Sequence, residues 1–253
     1  MQNRDLAGHA ATLAPGRLAF SGVPGPRLTV CAVVRGEGPA MPAALDAQTR
    51  PAGERLVVPL AASHHDAMAD ARESPADWLW LLDAGVVPEP AALERLVAPL
   101  DDLFGLPPPA LMASRVVHPD GRLDRAGAPW LPLLDRDVVI AAAQHRLVSL
   151  RLARWGSLLV RRETLAEHGL PRADYAGGAD DLEWTGRVLK DAHGYLAPDS
   201  VAVRGTPARR TIGPREVRDR LRMLRSPGWV AQEPVWFAVE LVADLGRAVR
   251  ACA

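Results

Sequence analysis

Lysine is almost missing from this 253-residue chain: Lys190 stands alone, and the other 29 basic residues are arginine. With 23 prolines in a chain rich in alanine, that bias follows coding preference rather than chemistry. Excess charge is missing as well. Thirty acidic residues balance the 30 basic ones, so no global field draws the chain to nucleic acid. Cysteine is scarce, and Cys31 and Cys252 lie too far apart for a metal-ligand spacing. Cys31 sits in an apolar run and is expected to be buried, which fits a reducing compartment. No stretch of 18 uncharged residues exists, so no membrane-spanning helix is expected. The opening Met1-Gln2-Asn3-Arg4-Asp5 lacks the long apolar run of a signal peptide. These absences predict a cytoplasmic protein, held at most against the inner surface of a membrane. What remains is 48% hydrophobic and 24% charged, the balance of an ordinary globular protein. The length suits one sizeable α/β domain with an appendage, or two small domains.

Along the chain, residues 1–27 carry Pro15-Gly16 and Pro24-Gly25-Pro26 and read as a loose extension. Leu28–Val34 predicts a first strand, 40–49 a helix and Arg55–Leu60 a second strand that Pro59 stops or places at a sheet margin. Residues 65–73 suggest a short helix. Trp78–Leu82 is apolar on both faces, which predicts a central strand of a parallel sheet ending at Asp83-Ala84-Gly85. Leu93, Leu96, Val97 and Leu100 mark a helix after Pro88 and Pro90. Strands are then predicted at Leu111–Val117, Ser157–Val160 and Val201–Val203, with helices at Glu163–His168 and Asp180–Ala192. This alternation over 28–204 argues for one α/β domain with a mainly parallel, mixed sheet. Residues 205–253 form an Arg-rich segment and a final helix. Phe237, Leu241, Leu245 and Val249 mark its apolar side; Glu240, Asp244, Arg247 and Arg250 mark its polar stripe.

Several residues carry two readings. Asp180 and Glu183 have the spacing of a helix capping box, a purely structural role. Asp181 is less needed by such a cap, although a negative charge in a first helical turn is favourable anyway. Asp83 fits a plain strand-ending turn. His64-His65-Asp66 invites a metal reading, but adjacent histidines point to different sides and no third ligand accompanies them, so a solvated loop is expected. Trp155 suits either a sugar-stacking platform or a buried ring before a core strand. The eight arginines of 204–225 read as a solvated face or, with Trp229, Trp236 and Phe237 after them, as a contact to anionic lipid.

Three segments together resemble glycosyltransferase family 2, whose members have the GT-A fold. The first is Leu45-Asp46-Ala47-Gln48-Thr49-Arg50-Pro51. The second runs from Asp77 through Trp78-Leu79-Trp80-Leu81-Leu82-Asp83-Ala84-Gly85 to Pro88 and Leu93, where the family has a strand, an Asp-x-Asp triplet and Pro-x-x-Leu. The third joins Gly156–Glu163, Gly169-Leu170-Pro171, Gly177-Gly178-Ala179-Asp180-Asp181-Leu182-Glu183-Trp184, and Gly194 through Val203. The resemblance implies inverting transfer of a sugar from a nucleotide-sugar donor to a saccharide or lipid-linked acceptor. It implies Asp181, or its neighbour Asp180, as general base. It places Asp83, Ala84, Gly85 and Arg204 at the donor, and Trp155, Gly178 and Trp184 at the acceptor.

The sequence also departs from the family. Gly85 replaces the second Asp of the triplet, Arg204 stands where many members have a metal-binding His, and Leu60-Ala61-Ala62-Ser63 offers no carboxylate for the nucleobase. These losses disfavour Mg²⁺ or Mn²⁺ and leave two readings: a metal-free enzyme in which Arg204 or a neighbour answers the diphosphate charge, or a catalytically inactive relative acting as a binding or partner subunit. A nucleotidyltransferase reading would need a phosphate loop that Val34-Arg35-Gly36-Glu37-Gly38 does not supply.

Overall fold

The computed structural model describes residues 28–36, 38–124, 128–132, 136–175, 179–205, 214–230 and 233–252. The expected extension 1–27 and the candidate acceptor residue Gly178 lie outside them, as do the side chains of the expected polar stripe, Glu240, Asp244, Arg247 and Arg250.

Eight strands form one mixed sheet in the order β2-β1-β3-β7-β5-β8-β4, with β6 on β8. They are β1 (Val30–Arg35), β2 (Glu54–Val58), β3 (Trp78–Asp83), β4 (Val86–Pro88), β5 (Pro109–Val117), β6 (Val148–Ser149), β7 (Ser157–Arg161) and β8 (His193–Arg204). Strands β2, β1, β3, β5 and β8 run one way; β7, β4 and β6 oppose them. β3 is therefore central, as its composition predicts, but only its β1 neighbour is parallel; β7 is antiparallel. β2 ends at Val58, directly before Pro59, and lies at the sheet margin.

Strand alternation sends side chains to two separate cores. Cys31, Val33, Leu79 and Leu81 meet Ala67 and Met68 of helix α2 (His64–Ala71), Leu165 of α5 (Glu163–His168), and Trp184 and Val188 of α6 (Asp180–Asp191). On the opposite face Val34, Trp80 and Leu82 pack on α1 (Met41–Asp46), α3 (Ala92–Val97) and α4 (Arg136–Gln144). The result is three layers, helix, sheet and helix. A buried hydroxyl chain crosses the centre: Trp80 Nε1 donates to Ser157 Oγ at 3.0 Å, Ser157 and Ser114 share a bond at 2.7 Å, Ser114 reaches Ser200 at 2.8 Å, and Ser200 donates to the Ala92 carbonyl at 2.8 Å. Every polar atom of that chain inside the sheet thus finds a partner.

β8 is much longer than the predicted Val201–Val203. The strand passes through Pro198, Asp199 and Ser200 with a register shift: Ser114 faces Ala197 and the next residue, Arg115, faces Val201. α4, β4 and β6 were not expected either; β4 and β6 have three and two residues and no periodicity to read.

Two C-terminal helices, α7 (Pro214–Met223) and α8 (Glu233–Cys252), dock on α6. Met223 and Phe237 are buried with Leu152, Tyr175, Ala179 and Leu182, and Trp130 and Trp229 close the cluster. Buried Arg151 ties this unit down. It donates through Nε and Nη2 to Glu233 at 2.7 and 2.8 Å, through Nη1 to the Gly186 carbonyl at 2.8 Å, and through Nη2 to the Gly228 carbonyl. No helix among the described residues is long and apolar enough to cross a membrane.

Candidate functional site

Asp83, Ala84, Gly85, Trp155 and Arg204 stand at one edge of the sheet. β1, β2 and β3 end there at Arg35, Val58 and Asp83, and β8 ends there at Arg204. Antiparallel β7 starts there, so Arg154-Trp155-Gly156 stand on the same edge. Open α/β sheets bind their ligands beyond the carboxyl ends of their parallel strands. The Asp83-Ala84-Gly85 turn is pinned on both sides: Asp83 N–H donates to the Gly156 carbonyl at 3.3 Å and Gly205 N–H to the Gly85 carbonyl at 2.9 Å. Gly85 has φ +79°, a left-handed conformation that glycine adopts without strain.

Asp83 does not stand alone. Arg35 is its register partner across β1 and β3, and donates to Asp83 Oδ1 through Nε at 2.9 Å and Nη2 at 2.5 Å. Its Nη1 makes longer contacts to the carbonyls of Leu60 and Ala62 at 3.4 and 3.5 Å. On the other side of the turn Arg204 lies in register with Val86 and donates from Nε to buried Asp124 at 2.5 Å. His118 Nε2 stands 3.8 Å from the other oxygen of Asp124. The turn is thus bracketed by two guanidinium groups, each paired with a carboxylate.

The carboxylates of Asp180 and Asp181 are both buried at the start of α6, and each has its own side-chain partner. Asp180 Oδ2 bonds His64 Nδ1 at 2.6 Å, and the His64 ring lies against Trp155 with centroids 3.9 Å apart. Burial alone would raise the Asp180 carboxyl's pKa. The hydrogen bond and charge of His64, with backbone N–H groups of 180 and 181, outweigh it and hold the group below its ordinary value. Three polar atoms of this cluster, His64 Nε2, Asp180 Oδ1 and Trp155 Nε1, are buried without a hydrogen-bond partner. Asp181 differs: Arg154 Nη1 at 3.3 Å and the Leu182 N–H at 2.7 Å both bind its Oδ1, leaving Oδ2 outside those contacts.

Some expectations need correction here. The N-cap of α6 is Ala179, with no side-chain cap bond, so Asp180 and Glu183 form no capping box. Glu183 instead pairs with Arg187 at 3.3 Å. The capping box belongs to α2, where Ser63 and Asp66 bond reciprocally, and this places His64 inside the protein rather than on a solvated loop. Trp184 is 0% exposed and donates to the Gly169 carbonyl at 2.8 Å; a fully buried ring has no face to offer an acceptor. Trp155 is also buried, edge-on to Trp184 and against His64. The arginines of α7 are not simply a solvated face, since Arg220 is buried on Glu216 at 2.7 Å and Arg222 reaches Asp174 at 2.5 Å.

The sequence pattern assigns no role to Arg35, Arg154 or Asp124, and it sets His64 on a solvated loop where the structure buries it. Only the position of Arg35, at a strand end beside two glycines, carried a signal. Beside it opens a cleft of about 540 Å³ lined by Gly36, Gly38, Val57, Val58, Pro59, Leu60 and Ala84. Its wall needs glycine at 36, where φ is +73° and a Cβ would stand 2.9 Å from that of Leu60.

A divalent cation does not fit these residues. Such ions take about six or more oxygen ligands; here one carboxylate is engaged by a guanidinium, Gly85 has no side chain, and Arg204 brings a second positive charge. Among the described residues no group of three or more His, Cys, Asp or Glu is arranged to hold a metal.

The sequence matches no known family model and no curated protein sequence. Solved structures do resemble the fold. The 1–349 portion of S. aureus TarS superposes with a TM-score of 0.52 at 10% identity, over 78% of this chain and 65% of that one. GalNAc-T7, crystallised with UDP, GalNAc and Mn²⁺, gives 0.55 at 12% identity, over 78% of this chain and 48% of that one. A longer S. aureus TarS structure gives 0.53 at 9%, over 85% and 42%. The chain therefore has a GT-A-like fold, and it spans less than two thirds of the length of each of these structures.

Proposed function

We propose that the chain is an inverting glycosyltransferase that takes its sugar from a nucleotide donor. The observation that supports this reading is the contact of Asp181 with Arg154, which precedes β7 on the sheet edge where the Asp83-Ala84-Gly85 turn and its apolar cleft lie. The cleft suits a nucleoside, the turn at Asp83–Gly85 lies where a diphosphate would follow, and Asp181 lies beyond it. In the reaction an acceptor hydroxyl oxygen attacks the anomeric carbon, and the bond from that carbon to the diphosphate oxygen breaks. The nucleoside diphosphate departs with the bonding electrons, and Asp181 Oδ2 takes the hydroxyl proton. Arg154 holds Oδ1 so that the other oxygen faces one direction, and His64 fixes Asp180 beside it. Trp155 acts behind His64 rather than as a sugar platform.

The acceptor class is a saccharide or a lipid-linked sugar at the cytoplasmic side of a membrane. The exposed apolar residues of α8, Val235, Trp236, Val239 and Val242, support peripheral contact with that surface. A second reading, a catalytically inactive binding subunit, is favoured by the Arg35–Asp83 pair, which withdraws the one acidic residue left of the metal motif.

Binding of sugar nucleotides to the whole chain tests the donor half of the proposal. Leu60→Trp places an indole in the cleft and should weaken binding by about tenfold or more while leaving the melting temperature close to the parent's. Unchanged affinity would remove the cleft from the proposal.

A further inference from the structure

We infer that Arg35, held on Asp83, is the cation that meets the diphosphate of the donor, so that nucleotide binding needs no divalent metal. This rests on the nucleotide-donor reading above and goes beyond it by naming the group that replaces the ion.

Three observations lead there. Arg35 stands at the mouth of the cleft: its neighbour Gly36 and the residue after its partner, Ala84, both line it. Its guanidinium is oriented rather than free. Nε and Nη2 on Asp83 Oδ1, with Nη1 toward two carbonyls, fix the plane of the group and leave one Nη2 hydrogen unassigned. It is also partly open to solvent, at 22% side-chain exposure, so an anion can reach it.

The chemistry of the pair follows from its geometry. An isolated Asp83 would repel a diphosphate, and the usual remedy is a divalent ion bridging the two. Here the repulsion is cancelled by a covalently tethered charge. A guanidinium offers planar donors suited to phosphate oxygens and stays protonated at any relevant pH. The long Nη1 contacts to Leu60 and Ala62 are the ones a phosphate oxygen can displace. Arg204 is placed less well for this role, because neither it nor its chain neighbours line the cleft.

The experiment is calorimetric titration of the whole chain with ADP, CDP, GDP, UDP and dTDP, in EDTA and then with Mg²⁺ or Mn²⁺. At least one nucleotide should bind in EDTA, with an affinity that metal changes by less than about threefold. Arg35→Ala should weaken that diphosphate by roughly tenfold or more, the scale of one lost charge-assisted hydrogen bond, and leave the matching nucleoside unaffected. Arg35→Lys keeps the charge without the fork and should recover part of the loss, which also guards against a variant that merely misfolds. Binding that requires Mn²⁺ and disappears in Asp83→Ala would overturn the inference while leaving the glycosyltransferase reading intact. Equal diphosphate affinity in parent and Arg35→Ala would overturn it too. Absence of nucleotide binding under every condition would overturn both.

Discussion

His64 and Asp180 are 116 residues apart in the chain and meet Nδ1 to Oδ2 at 2.6 Å inside the protein. The pair ties the start of α2, after an edge strand, to the start of α6. Asp180 is thereby kept below its ordinary pKa, and the sign of its pH dependence follows. Its stabilising contribution is complete above the unfolded value, about 3.9 for Asp, and is lost as pH falls through the lower folded value, because the unfolded state then binds more protons. Asp174, held at about 2 by its bonds to Arg172 and then Arg222, adds to the same acid limb. Asp180→Asn should therefore melt lower than the parent at neutral pH and lose less on acidification. Parallel melting curves for the two proteins from pH 6 to pH 2 would show that the pair contributes no pH-dependent stability.

Arg151 and Glu233 make the analogous link for the C-terminal helices. Removing one partner leaves the other charge buried, which costs about 3–5 kcal/mol, so Arg151→Ala should lower the urea midpoint sharply. Arg151→Met combined with Glu233→Leu removes both charges and should recover much of the loss. A double variant no more stable than Arg151→Ala would mean that the hydrogen bonds to Gly186 and Gly228, rather than the ion pair, hold the unit.

Gly85→Asp restores the family's second carboxylate in sequence only. A side chain there meets open space, but φ +79° imposes strain of about 1 kcal/mol on a non-glycine residue. Asp83 also stays on Arg35. Mn²⁺ titration of Gly85→Asp should show no tight site, whereas Gly85→Asp with Arg35→Ala should bind Mn²⁺ measurably. Tight Mn²⁺ binding by the single variant would contradict the account of Arg35.

Much of the fold was legible in the sequence, and the reasons are local. β3 could be read because apolar residues fill both faces, and α5 because Gly169 ends it. β8 runs well beyond Val201–Val203 because Pro198, Asp199 and Ser200, which lack a strand pattern, are taken up in a register shift against β5. The site was less legible, because its decisive contacts are non-local. Arg35 reads as a charge at a strand end until β1 and β3 are set in register. His64 reads as solvated until the capping box of Ser63 and Asp66 turns it inward. Asp180 has the spacing of an N-cap, and only the backbone at Ala179 shows that the helix starts one residue earlier.

The peripheral contact proposed for the exposed apolar face of α8 implies affinity for lipid surfaces. Sedimentation with vesicles containing phosphatidylglycerol should pull the chain down, and Trp236→Ser should reduce the bound fraction several-fold, since a buried indole is a major anchor at such interfaces. Equal sedimentation of parent and variant would exclude this helix as the contact.

The role of Asp181 is tested most directly by comparing sugar transfer in the parent and in Asp181→Asn, each at saturating donor and in EDTA. Asparagine preserves the shape and much of the hydrogen bonding to Arg154 and Leu182 but cannot take a proton. A positioned general base contributes on the order of 10²–10⁴-fold, and because Asp181→Asn also removes the carboxylate paired with Arg154 inside the protein, rates are compared at a temperature where both proteins are folded. Turnover per folded molecule should therefore fall by that factor, whatever the change in melting temperature. Transfer by Asp181→Asn at the parent's rate would contradict the assignment of the base, and a parent that transfers no sugar from any donor it binds would put the non-catalytic reading in its place.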